Sequence, residues 1–511
     1  MQVVQYVISR YIANGRADFN PYVRTTTIET AEKVLCSKID ARVHRLQCVQ
    51  GGWQCQYRRS ISPTAPASSL QWHDVKNLST TERQALHHFN TFVASKLVGY
   101  LVSDLWTYTV AQRCYSTPVV RSAVLALSSA HLDLSVNPLS PVPGSPKAAR
   151  GIATLQLYNE AIADLRVYIT ESDAPSRADV LLSCAALICC DLMRGDREQA
   201  TKHVDHGAAV VRAWQREVVA RPADCQRDED FDELQAFFSA LDLHATTFDD
   251  SRLPSLCLWH KDGGMGSSLP TKFTNLQQAQ RYLVQIQSAA FVDLIQSAPH
   301  KFQQLPQVPV DLVIRRRITR ASFQGWSSAF AHLETDWIHS AKAHSRKEQA
   351  ALFVLKMHHL TLQLLLDESF QEGDFRRPFD DAGDQLLRWA EQALQLLPSP
   401  DCFSIDVGLS PPLFLLVLKT THISVRRRGT ALLACVQKLE GWHRPQVMLQ
   451  AVNDLAVWQA GGDAQPVDEG TAMALEYVAE NASKVNGGVK RSLWLDVVHD
   501  GGLTAVQAVL Q

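Results

Sequence analysis

The 511 residues carry 50 Lys and Arg against 52 Asp and Glu, a formal net charge of −2, with 46% hydrophobic and 20% charged residues. This ordinary globular usage excludes wholesale disorder, and the near-neutral balance excludes a general attraction to nucleic acid or anionic lipid. The longest apolar stretch, residues 180–190, is shorter than the roughly 20 residues that cross a bilayer, so no membrane segment is expected.

The opening MQVVQYVISR has neither the basic leader nor the sustained apolar run of a secretory signal. Eleven cysteines are scattered, several inside apolar runs such as LLSCAALICC at 181–190. A thiol in such a run behaves as a small buried hydrophobe, and a reducing compartment is expected.

Residues 1–59 form a small irregular segment with a basic bias: Lys or Arg at 10, 16, 24, 33, 38, 42, 45, 58 and 59 against acids at 18, 29, 32 and 40. Within it, RLQCVQGGWQCQYRRS (45–60) sets Cys48 and Cys55 six residues apart, ahead of Tyr57, Arg58 and Arg59. Thiolates are soft anionic donors suited to tetrahedral zinc, and Cys36, Cys48 and Cys55, with His44 as a conceivable fourth ligand, are the candidate metal ligands. Three thiolates cannot complete four-coordination at two zinc ions. Residues 60–80, rich in Ser, Pro and Ala, carry no helical period and read as a linker.

From 81 onward the apolar spacing is helical. Helices are expected at 81–97 and 118–133, followed by a proline-rich break, VNPLSPVPGSPK, at 136–147. In LQLYNEAIADLRVYI, the residues Leu155, Tyr158, Ile162, Leu165 and Ile169 recur every three or four positions, which predicts that they share a buried face. An apolar helix at 178–193 stops at Gly195, and 197–214 resumes with Ala200, Val204, Gly207, Val211 and Trp214 on one stripe, giving an αα-hairpin. Further helices are expected at 230–247, 276–298, 310–341, 347–368, 379–397, 411–437 and 446–460. Alternating strand patterns are nearly absent. The fold class is therefore all-α, a large irregular helical bundle or superhelix of αα-hairpins occupying 81–511.

Several spellings suggest chemistry and have simpler readings. Asp380-Asp381-Ala-Gly-Asp384 matches the DDxxD of class I terpene synthases, where hard carboxylates hold magnesium and diphosphate. The second motif such an enzyme needs is incomplete at Asn453-Asp454, and an acidic helix start is the simpler account. His203 and His206, one turn apart, lack a placed third ligand and read as a polar helix edge. Arg315–Arg317 and Arg426–Arg428 read as solvated helix faces, and DEDFDE (228–233) as a helix start. No nucleophile elbow, zinc-protease or phosphate-loop motif occurs, so no enzyme is expected.

The stretch TERQALHHFNTFVASKLVGYLVSDLWTYTVAQRCYSTPVVRSAVLALSSAH (81–131), with Phe89, Asp104-Leu105-Trp106 and the helix from Pro118, resembles the helical region that follows the zinc cluster in fungal zinc-cluster transcription factors. LQLYNEAIADLR is similar to that family's Tyr-Asn-x-Ala-Ile helix, 180–214 to its Ala-His-Gly helix pair, FFSALDLHATTF (237–248) to its Leu-Asp helix, and 408–443 to its Pro-Pro-Leu helix and Glu-Gly-Trp ending. The resemblance implies a transcription regulator in the nucleus, contacting transcription machinery or other regulators, as a homodimer or heterodimer, with a gene cluster as one setting.

That family binds two zinc ions through two C-x2-C-x6-C blocks. Cys48-x6-Cys55 followed by Gln56-Tyr57 resembles the last part of the second block, while Arg45 stands where its first cysteine belongs. The resemblance thus implies a degenerate or truncated finger, with Arg58 and Arg59 as candidate DNA contacts and zinc as the candidate cofactor. The block that would contact DNA most closely is absent, so sequence-specific DNA binding is not expected of the chain as written. A complete activator with a misassigned N-terminal segment is the alternative reading, and a terpene synthase-like enzyme the other.

Overall fold

The computed structural model describes residues 78–97, 104–136, 146–172, 175–220, 229–248, 252–257, 269–297, 308–339, 344–369, 378–396, 403–406, 408–436 and 439–442, together with 300 and 448–449. Every described residue falls in one compact unit.

Ser79 opens the first helix because its hydroxyl accepts the Glu82 N–H while the Glu82 carboxylate accepts the Ser79 N–H at 2.7 Å, a reciprocal capping box. Helix α1 (Thr80–His88) continues through a π-helical turn at Phe89–Val93 into α2 (Ala94–Leu97); a second π-helical turn, Leu105–Thr109, leads into α3 (Val110–Ser116). These turns bury Phe89, Val93, Leu105 and Trp106.

Helices α4 (Pro118–Val136), α5 (Pro146–Glu171), α6 (Arg177–Arg194), α7 (Arg197–Ala220) and α8 (Glu229–Phe248) follow. Helix α4 packs on α5 and α6, α6 on α7, and α7 on α8. From Ala178 to Met193 every residue of α6 is buried, as expected of a helix that is apolar on all sides and surrounded by others. Gly195, at φ 86°, ends α6: its N–H reaches Leu192 O and the Asp196 N–H reaches Asp191 O, the two bonds of a left-handed helix stop.

The predicted α7 stripe is buried as a row, Ala200, Val204, Gly207, Val211 and Trp214. Gly207 is required by packing: a Cβ there would stand 2.1 Å from the Phe238 ring of α8. The α5 expectation needs correction. Thr154, Tyr158, Ala161 and Leu165 are the buried row, whereas Leu155 and Ile169 are 41% and 47% exposed. The helix is turned by about one position, because Tyr158 points at a carboxylate on α6 and Thr154 at polar groups on α4.

The remaining helices are α9 (Leu276–Ser297), α10 (Val310–His339), α11 (Arg346–Ser369), α12 (Pro378–Leu396), α13 (Ser410–Lys419) and α14 (Ile423–Cys435). They enclose one apolar cluster in which Trp326 lies flat on Phe330 and on His359, ring centroids 4.5 and 4.7 Å apart. The single helix expected at 411–437 is two, broken at Thr420–His422. Asp380, at the start of α12, accepts from the Thr420 and Thr421 hydroxyls and the Thr421 N–H, which holds that connection extended. Two dipeptides, β1 (Phe403–Ser404) and β2 (Leu439–Glu440), pair in parallel and make the only sheet among the described residues. The architecture of the described residues is all-α. Of the helix expected at 446–460, all but 448–449 lies outside the described residues.

Candidate functional site

The residues singled out for zinc and DNA, Cys36, His44, Cys48, Cys55, Arg58 and Arg59, lie outside the described residues, as does Asn453-Asp454. Among the described residues no group of three or more His, Cys, Asp and Glu could hold a metal ion. Chemistry in the helical body therefore has to be sought in its buried polar groups.

The densest such group lies where α5, α6 and α7 meet. Asp191, on the last turn of α6, is wholly buried. Its Oδ2 is 3.1 Å from the Tyr158 hydroxyl of α5, and that hydroxyl is 3.2 Å from His203 Nε2 of α7. Its Oδ1 accepts no hydrogen bond. Arg194 approaches only to 3.7 Å and lies instead over the Tyr158 ring, 4.9 Å from its centroid. Burial pushes the Asp191 carboxyl up to about 7, more than the Tyr158 hydrogen bond and Arg194 pull it down. Burial likewise raises the Tyr158 phenol and lowers His203. His203 is thus part of the interior, a correction to the polar-edge reading, while His206 is exposed.

The other end of α6 is built differently. Asp179 sits in the first turn, its N–H capped by Ser176 Oγ at 3.3 Å, and its carboxylate accepts from Arg113 Nη1 at 2.8 Å and from Tyr168 at 3.3 Å. A third buried acid, Asp242 of α8, accepts from Arg252, from Ser255 and from the Leu256 N–H, so it fastens the 252–257 segment to the helix. Burial opposes the charge on Arg252, but Asp242 and Asp205 outweigh it and raise the guanidinium. This Asp242 is the aspartate of the Leu-Asp helix, and its role is structural.

A further junction joins the chain's later helices to α7. Glu440 accepts from the N–H groups of Leu409 and Ser410 at the start of α13, at 3.3 and 3.0 Å. Gly441, at φ 55°, donates to Ser404 O, and the turn delivers Trp442 to α7, where its carbonyl accepts from Arg197 Nε at 2.8 Å and its indole donates to Thr201. The Glu-Gly-Trp ending is a staple between the α13 start and the α6–α7 hairpin.

The terpene synthase spelling dissolves in the structure. Asp380 is spent on Thr420 and Thr421, and Asp384 pairs with Arg428 at 3.0 Å. The arginine triplets are not uniformly solvated either: Arg316 is buried, donates to Leu366 O, and has its guanidinium drawn down by burial to about 10. Arg426 donates to Thr420 O, whereas Arg427 is exposed. The cysteines of α6, Cys184, Cys189 and Cys190, are buried thiols pushed up by desolvation.

The described residues thus form a helical body whose interior polar groups fasten helices to one another. Residues 84–279 match the family model of the fungal specific transcription factor domain. The matched span runs from α1 into α9, so it contains the α6–α7 hairpin, the Asp191 corner and the Asp242 clamp. No curated protein matches the chain, and no solved structure does.

Sequence reading missed Asp191, Tyr158 as its partner, and the destination of Trp442. One signal was present: LICCDLMR places a single carboxylate inside an apolar run, and such a group must be paired or neutral when buried.

Proposed function

We propose that the chain is a transcription regulator that acts in the nucleus through its helical region, by contact with transcription machinery or other regulators, and that a fungal biosynthetic gene cluster is the setting of its action. The observation that carries this is the match of residues 84–279 to the fungal specific transcription factor domain. The proposed division is a finger-like segment at 1–59, a linker at 60–80 and a helical regulatory region from 81 to 511. The staple from Trp442 to Arg197 and Thr201 supports including the later helices with the matched span. No catalytic step is assigned, since Asp380 and Asp384 are spent on internal partners.

The test is a reporter assay with the full chain fused to an unrelated DNA-binding module, alongside imaging of a fluorescent fusion. Nuclear signal and a reporter change of several-fold are expected. Exclusion from the nucleus together with an unchanged reporter would reject the reading.

A second reading rests on Cys48-x6-Cys55 and the Arg58-Arg59 that follow: zinc held by Cys36, Cys48 and Cys55, with direct DNA contact. Zinc content of the purified chain and of a Cys48→Ser/Cys55→Ser variant tests it. About two zinc ions per chain, lost in the variant, would show that more ligands than these three take part and would restore DNA binding as the leading activity. Near-zero zinc in both would leave the helical region as the acting part.

A further inference from the structure

We propose that Asp191 is a proton-binding group of the folded chain and that the α5–α6–α7 corner is a proton-linked closure, shut while the carboxyl is neutral and loosened when the proton passes to water.

The geometry carries this. Tyr158 has one hydroxyl proton and two acceptors in reach, Asp191 Oδ2 and His203 Nε2. If Asp191 is ionised, the phenol donates to it, and His203 Nε2 either carries a proton and donates to the phenol or, bare, accepts from Gln199. If Asp191 is neutral, its own O–H donates to the phenol oxygen and the phenol donates to a bare Nε2. The Gln199 amide nitrogen, 3.4 Å from the same Nε2, is a donor to a bare ring nitrogen and is compatible with either state of Asp191, so the surroundings of the carboxyl decide.

The surroundings favour the neutral carboxyl. Asp191 lies in the last turn of α6, where the negative end of the helix dipole disfavours a carboxylate. Its Oδ1 accepts no hydrogen bond, a costly state for a buried anion. The charged and titratable groups around it are Tyr158 from α5, Cys190 and Arg194 from α6, Asp196 in the turn, His203 and His206 from α7, and Asp133 from α4 toward Cys190. Arg194 stops at 3.7 Å from Oδ1, and His203 Nε2, a cation only when protonated, stands 3.7 Å from Oδ2.

The closure reaches the later helices through α7. Arg197 and Thr201, which hold Trp442, precede His203 on that helix, so loosening α7 at His203 loosens the staple.

The sign follows from the carboxyl titrating near 7 in the closed state against about 4 when solvated. Between those values the closed state binds more proton, so closure weakens as pH rises and levels off above about 7. Buried neutral histidines act oppositely: His131, lowered to about 4 by burial, its partner His88, and within the corner His203, also lowered by burial, cost stability as pH falls below their ordinary value of about 6.5. A local probe removes the first two, and the difference between the wild type and a variant that keeps His203 removes the third.

The experiment uses the full chain. Hydrogen exchange by mass spectrometry, corrected for the intrinsic pH dependence of exchange, reads the opening constant of peptides within 177–220. The expected result is an opening constant rising up to about tenfold per pH unit from 5.5 to about 7 and then flat. Asp191→Asn should abolish that rise and raise the unfolding midpoint relative to the wild type by a few degrees more at pH 8.5 than at pH 5.5. An opening constant flat or falling with pH in the wild-type chain would overturn the proposal, whether or not the variant folds.

Discussion

The two ends of α6 hold one buried aspartate each, and the helix treats them oppositely. Asp179 stands in the first turn, where N–H groups and the helix dipole favour negative charge, and Arg113 meets it at 2.8 Å. Asp191 stands in the last turn, where the dipole disfavours negative charge, and its neighbours are a phenol, an imidazole and Arg194, which comes no nearer than 3.7 Å. The same side chain on the same buried helix thus meets a guanidinium at 2.8 Å at one end and is left with one oxygen unbonded at the other. Burial alone does not set the state of a carboxylate; the cation in reach and the helix end decide it.

The comparison can be broken most severely at Arg113. Arg113→Met strips Asp179 and Asp230 of their shared cation, and we expect a loss of about 3 kcal/mol in urea-unfolding free energy, the lower end for a broken buried pair because Arg113 is partly exposed. Adding Asp179→Asn to that variant should recover much of the loss.

Gly207→Ala supplies a packing defect without charge. The new methyl meets the Phe238 ring, and a cost of roughly 1–3 kcal/mol is expected. Because no ionisable group is touched, the cost should be equal at pH 5.5 and 8.5, which urea melts at both values would check.

Tyr158→Phe sharpens the titrating end by removing the hydroxyl shared by Asp191 and His203. A loss of about 1 kcal/mol is expected, and the pH dependence of exchange in α6 should persist because the carboxyl remains buried.

The smallest effect belongs to Asp380→Ala, which frees the Thr420–His422 connection at a cost of about 0.5–1 kcal/mol. Burial works against its charge, but hydrogen bonds from Thr420 and Thr421 outweigh it and hold the Asp380 carboxyl below its usual range. Its contribution is therefore fully present above about pH 4, is lost only as pH falls through that lowered value, and should be constant between pH 5.5 and 8.5. A pH-dependent cost in thermal melts would contradict this.

Local pattern was enough for most helices. The Gly195 stop, the Ala200-to-Trp214 stripe and the acidic start of α8 are all decided within a few residues of one another, since caps, propensity and a 3.6-residue period act at that range. The same pattern misread α5 by one position and ran α13 and α14 together. In each case the deciding contact came from elsewhere: Asp191, 33 residues from Tyr158, and Asp380, 40 residues from Thr420.

The amino-acid sequence by itself determined where most of the described helices lie, that residues 178–193 form an apolar helix, and which family's helical region the chain resembles. Tertiary structure decided which helix faces meet, which carboxylates find a cation, and where Trp442 is seated, on Thr201 from 241 residues away. The physical reason is range. Helix formation follows from neighbours along the chain, whereas the charge state of a buried group follows from whatever the fold places within about 4 Å of it.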